Sequence, residues 1–129
     1  MAKQQDGINV NAKAAGDLSD YQYYFVEQDS TNEQVSRCNA ATDQALGILQ
    51  NKPASSGRAA LVRVLGHSKV VAGETLTAGN LVGPNARGSA TALTPGSDTT
   101  AYVAGVVVVG ADSGENAEMV LLGGPARAA

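Results

Sequence analysis

The sequence predicts an all-β fold: a small β-barrel or β-tulip-like domain with an extended N-terminal arm. Three observations carry this. Short β-type phrases recur along the 129 residues: GILQNKP, ALVRVLG, KVVAGETLTAGNLV, YVAGVVVVGADSG and AEMVLLGG. Gly, Pro, Asn and Asp turns separate them at close spacing, the pattern of a barrel or sandwich. No long helix is credible, because the best helical window, residues 31–50, is interrupted by Asn39, Thr42 and Gly47.

Residues 1–20 are polar and rich in Ala, Gly, Asn and Asp. They lack strand or helix periodicity and read as an arm, flexible unless a partner orders it. The domain then occupies residues 21–129. Its first strand is expected at residues 21–27, YQYYFVE, where aromatic and β-branched residues suit a pleated surface. Alternation would place Tyr21, Tyr23 and Phe25 on one face, and Gln22, Tyr24 and Val26 on the other. Three of the four tyrosines and the only phenylalanine lie in this segment.

A turn cluster at residues 29–32 (DSTN) precedes a second strand at residues 34–39. A short strand at residues 45–50 ends at Asn51-Lys52-Pro53, since Pro53 has no amide hydrogen for a ladder. Residues 60–65 form a strand that Gly66 is expected to end. Arg63, among apolar neighbours, implies partial exposure or a paired charge. Residues 69–72, 81–82 and 89–93 give three further short strands. Residues 101–109 are the most hydrophobic, and their near-continuous valine predicts burial on both faces. Asp112-Ser113-Gly114 is a hairpin-type turn, residues 118–122 the last strand, and GGPARAA a loose tail.

Composition limits the function. The hydrophobic fraction is 43% but aromatics are only 4% and Trp is absent, so Val, Leu, Ile and Ala must build the core. Such a core is thin per residue, and self-association would add burial. The nine Lys and Arg residues are scattered, none adjacent, and the net charge is −3. That is no footprint for nucleic acid. Charged residues make up only 16%, so the surface suits protein contacts better than steering of charged ligands. The first twenty residues have no apolar signal core, and no apolar run is long enough to span a membrane. The chain is expected to be made in the cytoplasm and to stay soluble or assemble there.

No residue set points to catalysis. Cys38 is the single cysteine and reads as a small buried apolar residue. His67, the only histidine, has no Cys, Asp or Glu cluster beside it and reads as a surface or turn residue. Asp98, Asp112, Glu115 and Glu118 sit at loops or strand ends, where carboxylates are usually solvated. The stretch Asp112-Ser113-Gly114-Glu115-Asn116 has its glycine too early for a calcium loop. No glycine-rich stretch follows a strand and opens a helix, so none cradles phosphate. The expectation is a non-enzyme with no cofactor and no metal. The aromatic segment is the one candidate contact surface, because tyrosine joins apolar area to a polar tip.

In order, GILQNKP at residues 47–53, VRVLG at 62–66, VVAGETLTAGNLV at 70–82 and VAGVVVVGADSG at 103–114 resemble the small capsid decoration (cement) proteins of tailed bacteriophages. The match covers residues 45–122. The resemblance implies a structural virion protein on the exterior of the icosahedral head. It implies contact with the major capsid protein and a homotrimer at threefold and quasi-threefold positions, holding the shell against internal DNA pressure. It carries over no catalytic residues. Candidate capsid or subunit contacts are Tyr21, Tyr23, Tyr24 and Phe25, with Val107 on the valine-rich strand. Neither nucleic acid nor membrane is an expected partner.

Two rivals differ in kind. A trimeric β-barrel enzyme similar to dUTPases would need a carboxylate held for water activation and Gly-rich substrate motifs, which the sequence lacks. A binding module is the alternative: a β-domain for glycan or host-surface adhesion, or a head-fibre base. The phrase AGETLTAGNLV also resembles small β-clip domains that bind sugar-like ligands.

Overall fold

The computed structural model describes residues 7–128. Nine strands follow in chain order: β1 (Gly7–Ala14), β2 (Phe25–Gln28), β3 (Gln34–Arg37), β4 (Gly47–Leu49), β5 (Ala59–Val71), β6 (Leu81–Pro84), β7 (Ala90–Leu93), β8 (Tyr102–Val109) and β9 (Asn116–Arg127). Among the described residues there is no helix, so the all-β expectation holds.

The strands form one sheet in the order β1-β3-β2-β4-β5-β9-β8-β6-β7, and β1 also pairs with β5. That extra pairing closes β1, β3, β2, β4 and β5 into a ring. A second, looser ring runs from β5 through β9, β8, β6 and β7, and an isolated Ala72–Ala90 bridge returns it to the end of β5. The long strand β5 belongs to both. Its Ala59–Gly66 stretch pairs with β1, and its Gly66–Val71 stretch with β9.

Each ring holds its own core. Val26, Val35, Leu49, Ala60 and Val62 fill the first, with Ala14 and Leu18. Phe25, Ile48, Val70, Val82, Val107 and Met119 anchor the second. Alternation along β5 turns one face of the strand to both cores. Ala60, Val62, Ser68 and Val70 are buried, while Leu61, Arg63, Leu65, His67, Lys69 and Val71 take the other face and are partly or fully exposed. Each fully buried Val, Leu or Phe stabilises by about 1.5–3 kcal/mol. Buried Ser68 is satisfied: its hydroxyl donates to the Lys69 carbonyl at 2.8 Å and accepts from Gln50 Nε2 at 2.9 Å.

Five expectations need correction. Within the expected extended arm of residues 1–20, residues 7–14 form a paired strand and residues 15–20 a bend and a turn, while residues 1–6 lie outside the described residues. The polar composition hid β1 because most of its side chains are exposed, which erases alternation. The first aromatic strand begins only at Phe25, since Tyr23 is left-handed (φ 69°) and breaks an extended run. Gly66 does not end its strand. Its φ of 99°, easy only for glycine, bends β5 where the chain passes from one ring to the other. The C-terminal stretch is not loose, because β9 continues to Arg127, opposite Tyr102. Finally, β8 is not buried on both faces: Val107 is interior, while Val108 and Val109 are exposed. A bulge between Val107 and Val109 sets this change of face. Gly105 interrupts the valines because a Cβ there would lie 2.0 Å from the Val120 carbonyl oxygen.

Candidate functional site

The tyrosine segment is a tight, hydrogen-bonded turn. Tyr21 N donates to Leu18 O at 3.0 Å and Tyr24 N to Tyr21 O at 3.0 Å. Tyr23 is then clamped between the two rings: its N donates to Leu49 O at 2.7 Å, and its carbonyl accepts from Val71 N at 3.0 Å. These two bonds hold a left-handed conformation that costs a non-glycine residue about 1–3 kcal/mol.

The turn separates the aromatic side chains. Tyr21 and Tyr24 meet edge to face, with ring centres 5.2 Å apart at 83°. The Arg37 guanidinium covers Tyr21 at 4.7 Å, and Lys69 Nζ lies 5.8 Å from the centre of Tyr23. Phe25 points into the second core and is fully buried. Tyr21, Tyr23 and Tyr24 stay half-buried at the surface. Val107 packs in the same core as Met119 and is 1% exposed. Phe25 and Val107 are thus core residues in this chain, and the outward valines are Val108 and Val109.

Two adjoining cavities of about 380 and 390 Å³ flank the turn, and Tyr24, Val71 and Gly114 line both. Asn85, Arg87 and Ser113 complete the first, and Tyr23, Lys52, Asp20 and Asn116 the second. The Asn85 loop is fixed from within: Asn85 Oδ1 accepts from Arg87 N at 2.8 Å and from Ser89 N at 3.2 Å.

A second cluster escaped the sequence. Glu27, Cys38 and Asp43 bring their donor atoms within 4.8 Å of one another, the one such His, Cys, Asp and Glu group close enough to share an ion among the described residues. Burial pushes the Glu27 carboxyl up to about 7, helped by its hydrogen bond to Asp43 and by the charges of Asp43 and Asp29. Burial raises the Cys38 thiol as well, with Glu27 and Asp43 adding to it, so Cys38 stays protonated. Asp43 Oδ2 also accepts from Asn39 N at 2.8 Å and Ala40 N at 3.0 Å. Asp43, bonded to Glu27 and to these two amides, closes the loop after β3. The β2–β3 pairing and the following turn join these residues.

His67 sits within β5 and not at its exit, with Nε2 3.0 Å from Glu118 Oε1 on β9. Arg63 hydrogen-bonds Asn9 Oδ1 and the His67 carbonyl, which accounts for a charge among apolar neighbours.

No family model and no curated protein matches the chain. Among solved structures it is similar to the N base of head fibre gp8.5 of bacteriophage phi29. The TM-score is 0.67 at 19% identity, over 88% of this chain and 92% of that one. At this identity the likeness shows a shared fold. A share of 88% must reach well before residue 45, so the likeness is not confined to the β-phrases of the C-terminal part.

Proposed function

We propose that the protein is a structural, non-enzymatic component of a tailed-phage head, seated on the capsid exterior as a decoration protein or fibre base. The observation that carries this reading is the fold it shares along nearly its whole length with a head-fibre base. The order of its β-phrases, which resembles capsid decoration proteins, supports the same placement.

The surface supplies a means of contact. Ile8 is paired with Leu65 across β1 and β5. Leu122 stands one residue beyond Leu121, the partner of Gly66, and so falls beside Leu65 on the other side. The three form a row across β1, β5 and β9, and they are 57%, 40% and 54% exposed. Val108 and Val109 add exposed apolar area on β8. In our reading this row meets the major capsid protein or the other copies of a homotrimer. It takes the contact role that sequence assigned to Phe25 and Val107.

An antibody raised against the chain tests the placement. Intact virions should bind it at many regularly spaced positions on the head in electron micrographs. Virions that contain the chain but bind antibody only after disruption would place it inside and overturn the exterior assignment.

A further inference from the structure

The polar groove around Tyr24 is not used by the contact row just described. It consists of two lobes, each near the lower end of the roughly 300–1,000 Å³ typical of small-molecule sites. The lobes share Tyr24, Val71 and Gly114, so a linear ligand lying along the groove would pass Tyr24 in both. We propose that this groove binds a short neutral oligosaccharide, with Tyr24 as the shared wall of two adjacent sugar subsites.

The chemistry of the walls selects the ligand class. A sugar ring presents an apolar C–H face and a rim of hydroxyls. It is held by an aromatic side chain together with planar amides and hydroxyls. Tyr24 supplies the aromatic wall, Asn85 and Asn116 the amides, and Ser113 a hydroxyl. A phosphorylated ligand is disfavoured. Arg87 and Lys52 line different lobes, and Asp20 shares the lobe of Lys52, so no two cations converge. An apolar ligand is disfavoured by the same polar walls.

The walls are also fixed in place. The left-handed Tyr23, bonded to both rings through Leu49 and Val71, sets where Tyr24 leaves the turn. Ser89 and Arg87 hold Asn85 Oδ1, which orients the amide. Backbone strain at a residue beside a cavity is the kind of feature retained at binding sites.

The test is a glycan array spanning neutral and charged oligosaccharides. It is followed by saturation-transfer NMR of the intact chain with maltotriose and tri-N-acetylchitotriose. Binding to at least one neutral oligosaccharide is expected. Tyr24→Phe should keep that affinity, and Tyr24→Ala should weaken it by about tenfold or more. Should Tyr24→Ala fail to fold, Ser113→Arg, on an exposed turn, fills the groove without disturbing the core and should abolish binding. Binding confined to charged glycans, binding unchanged in Ser113→Arg, or an array with no neutral hit would each overturn the proposal. None of these outcomes bears on attachment to the head.

Discussion

Glu27 is the carboxyl whose ionisation the fold alters most visibly. The ordinary Glu27 value is 4.5 and the folded chain raises it to about 7. Between those values the unfolded chain has lost the proton and the folded chain retains it, so folding stability falls as pH rises and the loss is complete above about 7. Glu27→Gln removes the titration. The variant should match wild type near pH 4 and exceed it at pH 8 by about 1 kcal/mol, allowing for solvent screening at this half-open site. Urea denaturation at the two pH values checks this; a variant equally affected at both would contradict it. Glu33 is the other non-glycine residue with a left-handed backbone among the described residues, at φ 64°, and its side chain is exposed. Its carbonyl accepts from Lys13 N at 2.7 Å, which ties the β3 approach to β1. Glu33→Gly relieves about 1–2 kcal/mol of strain and adds part of that back in unfolded-state entropy. A small net rise in stability, about 0.5 kcal/mol, is expected in the same urea experiment.

The elements carry sharper contrasts. On β8, Val107→Asp would bury an unpaired carboxylate against Met119 and should unfold the chain or cost more than about 3 kcal/mol. Val109→Asp, at a position 37% exposed that plain alternation would put on the Val107 face, should leave stability within about 0.5 kcal/mol of wild type. Thermal melts of the pair read the bulge directly, and equal damage from both would contradict the change of face. Strand β1 gives the second contrast. Deleting residues 1–14 would strip the partner from the Ala59–Gly66 part of β5 and remove Ala14 from the first core. The truncated chain should melt lower or aggregate through the bared edge. A freely flexible arm would instead leave the melting temperature unchanged.

How much of this was legible follows from the same elements. Strands β4, β7 and β8 were readable to within a residue or two, because apolar runs bounded by Gly, Pro and Asn mark short strands, and β3 because a turn cluster precedes it. Strand β1 was not, because an exposed strand built of Asn, Lys and Ala has no apolar face to reveal it. The turn at Tyr23 was hidden for the opposite reason. Aromatic residues favour strands locally, and only the hydrogen bonds to Leu49 and Val71, from distant elements, impose the left-handed turn. The groove and the Glu27–Cys38–Asp43 cluster are products of that tertiary pairing, so no spacing in the chain announces them.

At the scale of the whole molecule, two small rings share one long strand, and each ring has a modest aliphatic core. A row of exposed apolar side chains crosses β1, β5 and β9, where the rings meet. A molecule of this kind gains by burying that row against a symmetric lattice, where many weak contacts repeat and later ones become intramolecular. Leu65→Glu should therefore leave the isolated chain folded and impair assembly. The most direct measurement is co-sedimentation of the purified chain with undecorated phage heads, with light scattering of the free chain alongside. The account predicts that the chain pellets with heads up to a saturating ratio set by capsid symmetry, and that Leu65→Glu stays in the supernatant. A wild-type chain that remains soluble at every ratio of heads would contradict it.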